Sequence, residues 1–364
     1  DIRLLLKARF EAADRAMGKT MASVRDLQYA ALLGQFDSAL IQLGDIGSSL
    51  YLNGVMNTAK ALATGNKRAK ITADDLGLVN QVSAELQNLN GMTKFLDFAL
   101  TYSGFRKIDK LGKDTFIKAS WRKNTKLARA NPDAIAKKYG DVFENETADL
   151  IADLQAGRVT DNTKLLMWNE LADVQPIALS EMPQLYLEMA NGRILYSLKS
   201  FGLKQLNLIR QNIVKRGQRG DVTGAFEEAL KYSLLVGMAN GSIENARNFL
   251  RSGFDPDALR DIDDVTYESL SKILFLSKYS REKYLAKGQY GTFVTELLTP
   301  AAPSILDAMG EAMNNVLFEQ ENDYEAFNKA LQKVPIAGRS YYYLLGGGAE
   351  KVIEQVEKEE REEK

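Results

Sequence analysis

Lysine and arginine, collected on two stretches, are the residues of this chain whose types and spacing best suit chemistry with a partner. From Phe105 to Ala130 nine cations, among them Arg106, Lys107, Arg122 and Lys123, stand against Asp109 and Asp114, and Trp121 lies among them. Single-stranded nucleic acid is held by such a mixture, with cations on phosphates and rings on bases. One tryptophan and two phenylalanines serve equally to anchor a helix in a core, and that is the weightier reading of this stretch. From Arg193 to Gly220 there is no acid at all. There Arg193, Lys199, Lys204, Arg210, Lys215 and Arg216 flank an apolar seam of Leu195, Leu198, Gly202, Leu206, Ile209 and Ile213. Spacings of three and four put that seam on one helix face. Surface helices ordinarily mix signs, so a purely basic flank suits phosphate, lipid head groups or an acidic partner. A core helix with solvated cations has the same pattern.

Other chemistry is excluded or unsupported. Cysteine and histidine are absent, which removes disulfides, thiolate nucleophiles, Cys/His zinc sites and every histidine-based triad. Gly18-Lys19-Thr20 has the ending of a phosphate-binding loop, but Ala13 stands where the loop needs glycine and no strand pattern precedes it. Asp261, Asp263 and Asp264 lack the glycine and terminal glutamate of a calcium loop and read as a solvated helix boundary. Among 48 acids no pair is singled out for glycoside cleavage. No catalytic, cofactor-binding or metal-ligating residue is therefore assigned. Tyr341, Tyr342 and Tyr343, just before Gly346 to Gly348, are candidates for a membrane or protein interface, because tyrosine favours surfaces that are apolar on one side and wet on the other. A packed helix end would look alike.

Helices must carry these residues. The expected fold is all-α, an elongated multi-helix bundle with two lobes and no substantial sheet. A content of 45% apolar residues supports a real core, and a net charge of −1 makes the basic stretches local features. A first lobe is expected over residues 1–130, a second over 131–348 containing the basic helix 193–216, and a charged helical tail over 349–364. Asn131-Pro132 marks the lobe boundary. The stretch 171–217 is expected to be the organising element. Small residues from Gly34 to Gly54 imply close helix approach, in a core or in lipid. Thr72 and Asp75 predict a helix cap leading through Leu89. Further helices are expected over 95–102, 144–154, 162–171 and 225–238, from Ser242 to near Gly253, and over 267–277, 293–298, 304–318 and 324–334. No run of about eighteen uncharged apolar residues offers a simple membrane span. A first residue of Asp1 suggests a piece of a longer polypeptide.

Three phrases carry a resemblance. LLGQFDSALIQLGDIGSSLYLNG (32–54) is similar to "LGNPxSAxxQLGD", through Gln42, Leu43, Gly44 and Asp45, and departs at Gly34-Gln35-Phe36, where Gly-Asn-Pro would be expected. QPIALSEMPQLYLEMANGRILYSLKSFGLKQLNLIRQNI (175–213) resembles "QPxxxSExPxxYLxxxNGRxxYxLKxFxxKQxxxxR", matching at Gln175, Pro176, Glu181, Pro183, Asn191, Gly192, Arg193, Leu198, Lys199, Phe201, Lys204, Gln205 and Arg210. VPIAGRSYYYLLGGGAEK (334–351) resembles the closing segment of the same group. These are the C-terminal modules of phage large polyvalent and internal virion (DNA-ejection) proteins. The resemblance implies a structural internal virion protein of a tailed phage, part of a larger polypeptide, released with the genome to help DNA cross the host envelope. It implies portal, tail or other internal virion proteins as partners, a homo-oligomer, and contact with phage DNA or the host inner membrane. It implies no cofactor and no catalytic residue in this region; peptidoglycan-cleaving or polymerase modules would lie elsewhere in the parent chain. A packaged nucleic-acid-binding cargo module is the alternative, and an enzyme domain with converging carboxylates a third.

Overall fold

Short polar and glycine-containing breaks divide the chain into helices. The computed structural model describes residues 26, 29–30, 33–78, 91–175, 200–252 and 255–273. The described part is 83% helical and contains no strand or sheet, so the chain is all-α. Its main helices are α1 (Gly44–Asn53), α2 (Val55–Ala63), α3 (Gly91–Tyr102), α4 (Phe105–Ala130), α5 (Pro132–Phe143), α6 (Thr147–Ala156), α7 (Asp161–Ala172), α8 (Ser200–Ile209), α9 (Val222–Tyr232), α10 (Met238–Arg251) and α11 (Ile262–Ile273).

Among the described residues the organising element is α4; residues 176–199 of the expected stretch 171–217 lie outside them. At 26 residues it is about 39 Å long, and α1, α2, α3, α5, α6 and α7 all pack on it. Gly104, in the left-handed region at φ 79°, separates it from α3. Its apolar contribution is modest: Phe116, Ile117, Trp121 and Ala128 join Tyr51, Ile135, Tyr139, Leu150, Leu154, Leu166, Met167 and Leu171 in one core. Much of the rest of its buried face is polar, including Lys113, Asp114, Lys118, Ser120 and Asn124. Gly112 lets α1 come close, since a Cβ there would lie 3.1 Å from the Gln42 carbonyl oxygen and 3.2 Å from Asp45 Cβ. A second core holds Ala30, Ala39, Leu96, Ala99, Leu100 and Phe105.

Asn131-Pro132 is a tight turn between helices. Asn131 accepts a hydrogen bond from the Ala134 N–H, and Pro132 occupies the first turn of α5, where its missing donor costs nothing. Residues before and after this turn share the principal core. The small residues of α1 pack against protein: a Cβ at Gly47 would sit 3.1 Å from Ala239 Cβ and 3.3 Å from Val236 Cα. Thr72 N–H and Oγ1 both donate to Asp75 Oδ2 at 2.8 Å, as a cap should. They close a turn over residues 73–77; residues 79–89 lie outside the described residues.

Two helix limits differ from expectation. No break occurs at Ser242, because its hydroxyl donates to the Met238 carbonyl at 2.8 Å within a helix that runs unbroken from Val222 to Arg251. Back-bonding of this kind competes with capping. The helix expected from Tyr267 begins at Ile262 instead, with Asp263 and Asp264 in its first turn, where carboxylates favour the helix dipole. Two π-helical stretches, Arg210–Val214 and Ser233–Gly237, interrupt otherwise continuous α-helices. The helices expected over 293–298, 304–318 and 324–334, and the tail 349–364, lie outside the described residues.

Candidate interaction surfaces

The expected contact residues are dispersed by the fold. Arg106 pairs with Asp97, and Arg216 pairs with Asp221 and stands 3.8 Å from Glu228. Lys204 Nζ donates to the Ala172 carbonyl at 2.7 Å, closing the end of α7. Lys123 turns inward to Glu170 and is no surface contact. Lys107, Arg210 and Lys215 are exposed and make no ion pair among the described residues. Arg193, Lys199, Tyr341, Tyr342 and Tyr343 lie outside the described residues.

Glu170 is the most heavily coordinated acid among the described residues. It is 6% exposed, yet Lys123 Nζ reaches its Oε1 at 2.8 Å and Lys138 Nζ at 3.1 Å. Ser120 Oγ and Tyr139 OH donate to it as well, and Asn124 Nδ2 donates at 2.9 Å. Burial pushes the carboxyl up, but the charges of Lys123 and Lys138 and the donated hydrogen bonds outweigh it and hold the group well below the usual carboxylate range. The Tyr139 hydroxyl is raised by its own burial and then by the ionised acid beside it. This constellation ties α4, α5 and α7 together, with Glu170, Ser120, Asn124 and Tyr139 buried and Lys138 reaching solvent, so it reads as architecture.

The first two phrases of the resemblance meet in the fold. Gln205 Nε2, on α8, donates to Ser48 Oγ on α1 at 3.1 Å, and Gln205 Oε1 accepts from Tyr232 OH at 3.0 Å. Tyr232 meets Tyr51 edge to face at 5.3 Å between centroids. The seam of this helix is therefore partly polar: Leu208 and Gln205 are buried, while Leu206, Ile209 and Ile213 are half-buried. Beyond it, Val222, Phe226, Leu230, Leu234 and Met238 form an exposed ridge at four-residue spacing, with Phe226 70% exposed. The π stretch Ser233–Gly237 slows the rotation of the ridge about the helix axis.

A basic pocket lies between α4 and the segment that follows α2. Lys118, Trp121, Arg122, Thr125 and Lys126 line one wall, and Thr64, Arg68, Ala69, Lys70 and Ile71 the other, around about 260 Å³. Helical spacing puts the five α4 residues on one face. Lys118 Nζ donates to the Thr64 carbonyl at 2.8 Å and to Asn66 Oδ1 at 3.2 Å, and an Arg122 N–H donates to Thr64 Oγ1 at 2.7 Å. Asp114 holds the loop from beneath, accepting from Asn66 Nδ2 at 2.6 Å and the Ala73 N–H at 2.8 Å. Burial depresses the Lys118 ammonium, Asp114 opposes that, and Arg122 adds to it. Sequence reasoning missed Arg68 and Lys70, although the run Asn66 to Lys70 (NKRAK) was a legible cluster of cations. Among the described residues no group of acids could hold a metal ion, and no helix is long and apolar enough to cross a membrane. No protein-family model, curated protein or solved structure matches the chain.

Proposed function

We propose that this chain is the C-terminal part of a larger phage polypeptide: a non-catalytic internal virion protein that leaves the particle with the genome and helps it cross the host envelope. The observation that carries the reading is the order and span of the three phrases at 32–54, 175–213 and 334–351. Packing of the first on the second, through Ser48 and Gln205, supports treating them as one structural unit. A helical body without cysteine suits passage through a narrow conduit, because contacts local in sequence reform fast. The ridge Val222 to Met238 gives such a protein an oily face for a second copy of itself, with Arg210 and Lys215 as neighbouring cations for DNA. Mass spectrometry of purified particles, before and after ejection is triggered, tests the role. The chain should be present in filled particles and depleted from emptied ones; its absence from filled particles would end the proposal.

A further inference from the structure

We propose that the pocket between α4 and the segment Thr64 to Ile71 binds a nucleotide, with its phosphate among Arg68, Lys70 and Arg122 and its base on the apolar wall at Trp121. Five cations converge there and no carboxylate lines the pocket. None of the five is ion-paired among the described residues; the acid whose field reaches Lys118, Asp114, is occupied by Asn66, the Ala73 N–H and Lys110. Like charges gathered without counter-charge repel one another, and a multivalent anion relieves that repulsion. Arginine forks beside lysine favour phosphate oxygens.

The rest of the lining selects an organic anion. Ile71 is fully buried and Trp121 is 7% exposed, so the inner wall is apolar and aromatic. Inorganic phosphate would leave the exposed edge of Trp121 uncovered, whereas a base placed against it removes that apolar surface from water and makes an aromatic contact. Thr125 Oγ1 borders the pocket and has no hydrogen-bond partner among the described residues, so it is free to bond a ligand atom there. A volume of about 260 Å³ lies at the small end of the ~300–1,000 Å³ typical of small-molecule sites. It admits one nucleotide unit and excludes a duplex. That unit is either a free mononucleotide or one residue of a single strand, and the inference is independent of the virion role.

The test uses the full chain carrying Trp168→Phe, which leaves Trp121 as the only indole. Fluorescence excited at the indole edge is followed while thymidine monophosphate, oligothymidylate or inorganic phosphate is added, up to about 10 mM for the small anions, beyond which binding is too weak to be a site. Saturable quenching by thymidine monophosphate, displaced by phosphate, supports the inference with a free nucleotide as source. Quenching by the oligonucleotide alone supports it with a single strand as source. In either case Arg68→Ala with Lys70→Ala should raise the Kd at least about tenfold, the loss expected for two charge-assisted contacts. The charge-matched pair Lys94→Ala with Lys137→Ala should not change it. Both pairs are exposed, and circular dichroism melting should show each variant folded. No saturable change with any probe, equal affinity in the two variants, or phosphate acting as well as the nucleotide would each overturn the inference. Particle composition does not enter this readout, so its failure is separable from failure of the virion role.

Discussion

Replacing Asp45 by asparagine tests whether the fold confines a proton beside α4. Asp45 is in the first turn of α1 and 5% exposed. Burial and the charge of Asp109 push its carboxyl up from 3.8 to about 7, against the pull of Lys113 and of the Gln175 carboxamide, which forms no hydrogen bond of regular geometry among the described residues. Folding therefore takes up a proton between those two values. The associated stability is fully present below 3.8 and is lost as pH rises through about 7. That rise, at about 1.36 kcal/mol for each pH unit, gives an upper bound of about 4 kcal/mol. Water penetration and relaxation around the ionised group cut that to about 2 kcal/mol. Asparagine has the shape of the protonated acid and never ionises. Asp45→Asn should thus be more stable than the parent by about 2 kcal/mol near pH 8 and nearly equal to it near pH 4. Urea unfolding of both proteins at the two pH values measures this, and all other titrating groups, Glu170 included, cancel in the difference. An asparagine variant no more stable near pH 8, or one shifted equally at both pH values, would refute the reasoning.

Glu170→Gln should destabilise the protein by about 1–3 kcal/mol near neutral pH, because half-buried Lys123 and the donors Ser120, Tyr139 and Asn124 lose the ionised acceptor they share; adding Lys123→Met should recover part of that loss in the same unfolding assay. The Glu170 carboxyl is held low, so its contribution is present above 4.5 and lost as pH falls further, and the Gln variant should show a flatter acid limb than the parent. Gly112→Ala should cost about 1–3 kcal/mol, measured by thermal unfolding, since the Gln42 carbonyl oxygen 3.1 Å from the new methyl is backbone and yields little. On the proposed self-association, Phe226→Glu with Leu230→Glu should leave the helical circular dichroism unchanged and shift sedimentation toward the monomer; an unchanged sedimentation profile would remove the ridge as the self-association face.

Helix type and most helix positions were legible, because three- and four-residue periodicity survives wherever a face is apolar. The segment expected over 162–171 forms as Asp161–Ala172, fixed by a Thr160–Thr163 capping box. What periodicity could not reveal was rank. α4 carries more charge than apolar surface, so it read as a basic stretch, yet it is the helix on which the principal core is assembled. Two of its inward-turned cations are answered by acids: Lys113 by Asp109 one turn away at 2.7 Å, Lys123 by Glu170 forty-seven positions on. The first pairing can be read from the sequence as an i,i+4 contact; the second depends on how α7 returns. Gln205 was equally hidden, since a polar residue inside an apolar seam gains meaning only once Ser48 and Tyr232 are seen opposite it. The pocket is a further case: Arg68 and Lys70 come from a loop outside both basic stretches, and only folding sets them against Trp121.

The π stretch Ser233–Gly237 has a consequence for how this chain tolerates change in length. A π turn holds one residue more than the α turn it replaces. Deleting one residue inside Ser233–Gly237 would let the ladder revert to i→i+4 bonding and keep the flanks of Val222 to Arg251 aligned with their neighbours. The same deletion in the middle of α4 would swing everything beyond it by about 100° and carry Trp121 off the core. Shortening by a single codon should therefore be survivable in one helix and ruinous in the other.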